Sequence, residues 1–358
     1  MKNMKRFLSL FLIFGLIFTA CSKQSNNDKK VDVTEKKTDE TKVFKDDLGR
    51  EVTLKKNITR VAPSGNPAQV MLHIFEPTKL VGLSSKLSKE TEKYVSFEFK
   101  NLPEFGAFYG KKANLNMEAL LNAKPEVIID MGEKKKEIED DLNRLQAQLN
   151  VPVVFIELTL DKLPNSFERL AEVLGNEKRG KELSDYINKT YDEIKVGKEK
   201  IKAEKKVYFG GGKTGLFANA KGSIHSDIIE FIGAKNPIVV EKIQGGSGNE
   251  IPFEKLSESN PDFLIFESKD ILEKIKTDET FKTLDAVKEN KVAFSPIGPY
   301  GFFGRPPAAN RIIGMKWLGN LIYPEIYNYD IKKEIKDFYK LFYNYDLKDE
   351  DILNLLGI

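Results

Sequence analysis

Residues 114–130 read NLNMEALLNAKPEVIID, and residues 251–266 read IPFEKLSESNPDFLIF. Each carries a helical run, then Lys or Asn, a proline, an acidic residue and an apolar strand. The first places a helix at 116–123 and a strand at 126–130; the second places a helix over PFEKLSE and a strand at 263–266. Proline cannot continue a helix, so the change of element is sharp in both. The same unit occurs twice, far apart in the chain.

The flanks extend each unit. Residues 43–54, VFKDDLGREVTL, read as a hairpin around Asp-Leu-Gly. Arg60–Ala62 reads as a strand, and Asn66-Pro67-Ala68 opens a helix through Ile74, with proline early as helices allow. LVGLS at 80–84 reads as a strand, 137–149 as a helix and 153–156 as a strand. Alternation of this kind predicts parallel α/β sheets.

From Leu163 to about Glu204 the pattern is helical with no strand, and Gly175 divides it. The second helix, Glu177 to Glu204, would span about 40 Å. The rhythm then restarts: a strand at 206–210, a helix at 226–232, the 251–266 unit, a helix around 279–287, a strand at 292–294, and helices from Asn310 onward. The fold class expected is α/β, with two three-layer lobes joined by a single long backbone helix. The expected divisions are a first lobe at 43–162, the backbone at 163–205 and a second lobe with closing helices at 206–358.

The N-terminus is an address. Lys2, Lys5 and Arg6 precede an apolar run from Phe7 to Phe18, followed by Thr19-Ala20-Cys21. The run is short for a bilayer span and ends in small residues, so 1–20 read as a secretory signal. Cys21, the only cysteine, follows a small residue as in a bacterial lipobox, although Phe18 stands where Leu is usual. This predicts lipid on Cys21 and an extracytoplasmic, membrane-tethered protein. Residues 21–42 have almost nothing to bury and read as a flexible tether. With Cys21 committed to lipid, no disulfide is expected. The 57 basic and 54 acidic residues nearly cancel and are scattered, which argues against a nucleic-acid surface.

Together with ITRVAPSGNPAQVMLHIF, GSIHSDIIEFIGAKN at 222–236 and FYKLFYNYDLKDEDILNLL near the C-terminus, the two opening segments make the chain resemble a known family. It is similar to the iron-siderophore and cobalamin class of substrate-binding proteins of ABC importers, over about residues 43–356. The resemblance implies two α/β lobes bridged by a rigid helix, with ligand held between them. It implies permease subunits and their ATPase as partners, and a monomer. The iron complex is then cargo, and no cofactor is expected. It also implies one acidic residue per lobe facing arginines of the permease, which here are Glu118 and Glu254.

Clefts in open α/β sheets form beyond the carboxyl ends of strands. In the first lobe, Ser64 and Asn66 sit where they can cap a helix or, at its free N-terminus, help bind an anion. Tyr109 can hydrogen-bond, stack or bind iron, or simply pack in its loop. In the second lobe, residues 295–307 form a proline-stiffened loop with Tyr300, Phe302, Phe303 and Arg305. Aromatic faces suit flat or catecholate ligands, and guanidinium suits anionic chelates. Cobalamin-binding relatives place an aromatic and an arginine in a comparable loop, which Phe302 and Arg305 could match. His225, near a helix start, is a further cleft candidate. His73, inside VMLHIF, and Trp317 read as core.

The Gly210–Thr214 string, GGGKT, lacks the first glycine of a phosphate-binding loop, where Val207 stands, and reads instead as a glycine-rich exit lining the cleft. The expected function is capture of an iron chelate of the siderophore type, with heme or cobalamin as the alternative ligand. A bare metal-ion receptor would gather several His, and there are two. A secreted hydrolase is the remaining alternative, and the chain has no GxSxG or HExxH.

Overall fold

The computed structural model describes residues 40–109, 113–246 and 248–358. The first strands, β1 (Thr41–Lys45) and β2 (Glu51–Lys55), pair as the expected antiparallel hairpin. Asp46 closes it: its carboxylate accepts from the Leu48 and Arg50 backbone N–H groups and pairs with the Arg50 guanidinium at 2.6 Å. The sheet of the first lobe is built from β3 (Val61–Pro63), β4 (Val127–Gly132) and β5 (Val153–Glu157), all parallel in the order β3-β4-β5. Its strands are buried almost throughout, as a sheet covered on both faces requires.

Between β3 and β4 lie α1 (Asn66–Phe75), two single-turn helices α2 (Lys89–Glu92) and α3 (Phe97–Lys100), and α4 (Met117–Asn122). Helix α5 (Ile138–Leu149) links β4 to β5. The strand expected at 80–84 is reduced to isolated bridges, Leu80 to Val61 and Leu83 to Glu104. Gly82 is where this segment meets Phe105. A Cβ there would lie 2.1 Å from the Phe105 ring, so the segment gives up a side chain to admit that aromatic.

The helical stretch begins with α6 (Leu163–Leu174) and continues, after Gly175, as α7 (Glu177–Lys198). Asn176 caps α7 by accepting from the Arg179 N–H. Helix α7 therefore has 22 residues, about 33 Å of rise, and stops before the expected Glu204. At its end the Tyr327 ring packs on Gly197, where a Cβ would be 2.0 Å away. The chain then turns through Lys200 N–H to Gly197 O and Ile201 N–H to Lys198 O.

The second lobe contains β6 (Val207–Gly211), β7 (Phe217–Ala218), α8 (Asp227–Phe231), β8 (Asn249–Glu250), α9 (Phe253–Ser259) and β9 (Phe263–Phe266). It continues with α10 (Lys269–Thr277), α11 (Asp285–Lys288) and β10 (Val292–Phe294). Its sheet order is β10-β9-β6-β7-β8, parallel through β6 and antiparallel beyond. Helix α10 was not anticipated. The helix expected at 279–287 is a 3-10 turn at Phe281–Thr283 followed by α11, because the Asp278 carboxylate accepts from the Thr280 and Phe281 N–H groups and restarts the chain there.

The closing region is three helices: α12 (Asn310–Ile322), α13 (Ile331–Tyr343) and α14 (Asp349–Leu356). Helix α13 packs against α1 of the first lobe as well as α12. One apolar core consequently runs from Val61 and Ile129 through α6 and α7 to Val207, Phe303 and Phe338. A second cluster lies under the far face of the second sheet, around Tyr208, Leu264 and Phe266.

Candidate functional site

The loops beyond β3 and β4 face loops of the second lobe across a cleft of about 630 Å³. The first lobe supplies Ser64, Gly65, Tyr109, Asp130, Glu133 and Lys135; the second supplies Ser223, His225, Gln244 and Pro307. Ser64 is in place because β3 ends at Pro63 and its backbone N–H donates to Ile129 O across the sheet. Asp130 is in place because β4 carries it between buried neighbours with its side chain toward the loops.

Asp130 organises this wall. It is only 2 % exposed. Tyr109 Oη donates between its two carboxylate oxygens, at 2.7 and 2.8 Å, and Ser64 Oγ donates to Oδ1. Burial pushes the Asp130 pKa up, and the two hydroxyls pull it back. Burial, followed by the Asp130 charge, pushes the Tyr109 phenol well above its ordinary value. Sequence reasoning named Ser64 and Tyr109 separately and read Asp130 only as a strand end. The available signal was a carboxylate closing the apolar run Val127-Ile128-Ile129.

His225 faces this wall from the opposite lobe. Its Nδ1 lies 2.8 Å from Gly304 O, which can only accept, so the proton is on Nδ1. Burial, then repulsion from Arg305, pushes its pKa down to about 4, so the ring is neutral near pH 7 with Nε2 unprotonated.

The aromatic loop is different from its expected role. Phe302 and Phe303 are core residues, at 0 % and 1 % exposure. Phe303 stacks on Phe209 with centroids 4.0 Å apart, and both Phe302 and Phe303 meet Trp317 edge-on. Neither face is open to a ligand. Tyr300 is buried too, with Oη 3.2 Å from Nδ1 of His73, itself a core residue as expected. Arg305 is half-buried and already engaged: it pairs with Glu267 at 2.7 Å, donates to Asn219 Oδ1 at 2.8 Å and also donates to Gly246 O. It is a tie within the second lobe, not a free charge.

Asn66 does not cap α1. Its Oδ1 accepts from the Ser84 and Ser85 hydroxyls, both at 2.8 Å. It lines, with Tyr300 and Arg305, a separate hollow of about 260 Å³. The glycine string ends β6 and turns into β7 without lining the cleft. A Cβ on Gly210 would strike Gly215 O and the Tyr208 ring, and one on Gly211 would strike Glu267. Glu118 and Glu254 lie in the first turns of α4 and α9, at the surface, and make no ion pair among the described residues. Cys21 lies outside the described residues.

Two lobes on a helical backbone with a cleft between them are the architecture of a solute-binding protein. The chain belongs to the periplasmic binding protein family, whose model matches residues 61–296. Among relatives, it is 22% identical over 293 residues to the Fe(3+)-citrate-binding protein YfmC of Bacillus subtilis (strain 168), covering 80% of this chain and 87% of that one. Its fold matches an ABC transporter solute binding protein from Sulfurospirillum deleyianum DSM 6946, with a TM-score of 0.81, 27% identity, and coverage of 88% and 99% of the two chains. It also matches the molybdate periplasmic binding protein MolA of Haemophilus influenzae, with a TM-score of 0.69, 22% identity, and coverage of 86% and 99%. One fold thus serves chemically different solutes, so the ligand has to be read from the cleft.

Proposed function

We propose that this chain is a membrane-tethered receptor that captures an iron chelate between its lobes and hands it to an ABC importer. The observation that carries this is the cleft wall in which buried Asp130 fixes Ser64 and Tyr109 opposite His225. The relative named for Fe(3+)-citrate supports an iron chelate as the ligand class. Burial of Phe302 and Phe303 removes the aromatic wall expected to face a flat ligand such as heme or cobalamin, or a catecholate. Burial of His73 leaves a single histidine at the cleft, which weighs against a bare metal-ion receptor.

In this reading the protein binds and releases without chemistry. Lipid on Cys21 keeps it at the membrane through a tether shorter than the 21–42 expected, since Thr41 and Lys42 already belong to β1, and Glu118 and Glu254, at the surface of separate lobes, register it on the permease. It works as a monomer. The test is to purify the mature chain from iron-limited cells, record its visible absorption and identify the bound molecule by mass spectrometry. A stoichiometric ferric chelate, retained unchanged, supports the reading. A bound metal-free solute, or one consumed on incubation, contradicts it. Cys21→Ser should leave the protein unlipidated and released from the membrane fraction.

A further inference from the structure

The hydrogen-bond inventory of the cleft points to the charge class of its ligand. Tyr109 and Ser64 spend their only hydroxyl protons on Asp130. What they present to the cleft is lone pairs. His225 spends its Nδ1 proton on Gly304 O, leaving Nε2 with a lone pair and no partner among the described residues. Both lobes therefore offer acceptors, while Ser223 and the exposed Gln244 add a hydroxyl and an amide that can also donate. The Tyr109 oxygen sits between both oxygens of Asp130, the position of a donor facing an anion.

The charges agree. Among the described lining residues, the charged ones are Asp130, Glu133 and Lys135. Glu133 and Lys135 are exposed at the rim, opposite in sign and screened by solvent. Arg305 pairs with Glu267 and does not line this cleft, although its charge still acts on His225. The opposing feature is the N-terminus of α1, where Gly65 offers no side-chain cap. A helix terminus is equivalent to roughly half a positive charge, against a full carboxylate charge at Asp130, and Pro67 removes one of its N–H donors.

We infer that the cleft selects iron chelates that are neutral or cationic and carry N–H, O–H or ammonium donors, over polycarboxylate chelates. This rests on the iron-chelate reading above and specifies it. Asp130 is the positioning residue: it turns two hydroxyls into acceptors and supplies the field that favours a cation.

The test is equilibrium dialysis of the full mature chain with three probes: a ferric trihydroxamate bearing a free ammonium arm, the same complex with that arm acetylated, and ferric citrate. Affinity should fall in that order, with the ammonium probe at least tenfold tighter than ferric citrate. Tyr109→Phe should weaken the ammonium probe about tenfold, the size expected for one hydrogen bond to a charged group, and ferric citrate by less. Asp130→Asn should shrink the ammonium-to-citrate ratio, a change that loss of structure alone would not produce. If that variant does not fold, half-buried Tyr109→Phe carries the test. Ferric citrate bound as tightly as the ammonium probe, or a ratio unmoved by both variants, overturns the inference and leaves the iron-chelate reading standing. Failure to retain any of the three overturns both.

Discussion

As candidate sites, the Asp130 wall of the first lobe and the 299–307 loop of the other lobe share a description: both follow a strand, and both combine a tyrosine with a charged residue. They are opposite in use. In the wall, a buried charge holds two hydroxyls at the edge of open space. In the loop, the aromatics turn inward onto Phe209 and Trp317, and the arginine is tied to Glu267. The loop also joins the lobes, since Thr91 Oγ1 donates to Pro299 O at 2.6 Å and Tyr300 reaches His73 on α1. The lesson is that composition marks a segment as rich in interactions without saying whether they are made to ligand or to core.

Breaking the loop should therefore cost folding rather than binding. Phe303→Ala should destabilise by about 3–5 kcal/mol, the usual cost of emptying a buried phenylalanine site. Denaturant melts measure this, while the affinity of the remaining folded protein should hold. A variant with normal stability and lost binding would put the loop back in the site.

His73 sharpens the same contrast through pH. Burial pushes its folded pKa down to about 3, below the ordinary 6.5. As pH falls below 6.5, the unfolded chain takes a proton that the folded chain refuses, so stability decreases with acid by up to about 1.4 kcal/mol per pH unit from this residue. His225, at about 4, acts in the same direction over a narrower window. His73→Gln should flatten the stability curve between pH 6.5 and 4 relative to wild type; an unchanged slope would show that His73 does not stay neutral in the fold.

Arg305→Ala is next in size. It strands the partly buried Glu267 and should cost about 1–3 kcal/mol, with chelate affinity moving less than threefold. A large affinity loss at unchanged melting temperature would restore Arg305 as a ligand contact. Smallest in folding terms is charge reversal at Glu118 and Glu254 together. Both lie at the surface without an ion pair among the described residues, so melting and binding should be unchanged, while uptake through the permease should stop. Loss of affinity would place them in the site or the fold instead.

Legibility follows the same division. Strands β9 and β10 were readable to the residue, because short apolar runs bounded by Pro261-Asp262 and Lys291 admit one assignment. Helix α7 was overrun, because the mostly charged residues 199–204 are locally compatible with a helix, whereas the end of α7 is marked by Tyr327, far away in sequence, packing on Gly197. Helix α10 was missed: its buried residues are only Ile271, Leu272 and Ile275, a thin stripe among charges. In the site, Ser64, Tyr109 and His225 were recognisable by chemistry and position, but their joining through Asp130 and Gly304 is tertiary. Phe302 and Phe303 were misassigned because their direction depends on Phe209 and Trp317, which no local pattern encodes.

The most direct measurement is anomalous diffraction at the iron edge from crystals grown with a ferric chelate. One iron peak between the Asp130 wall and His225 is the predicted result. A peak in the hollow beside Tyr300 and Arg305, or on the outer surface with the cleft unchanged, would contradict the account.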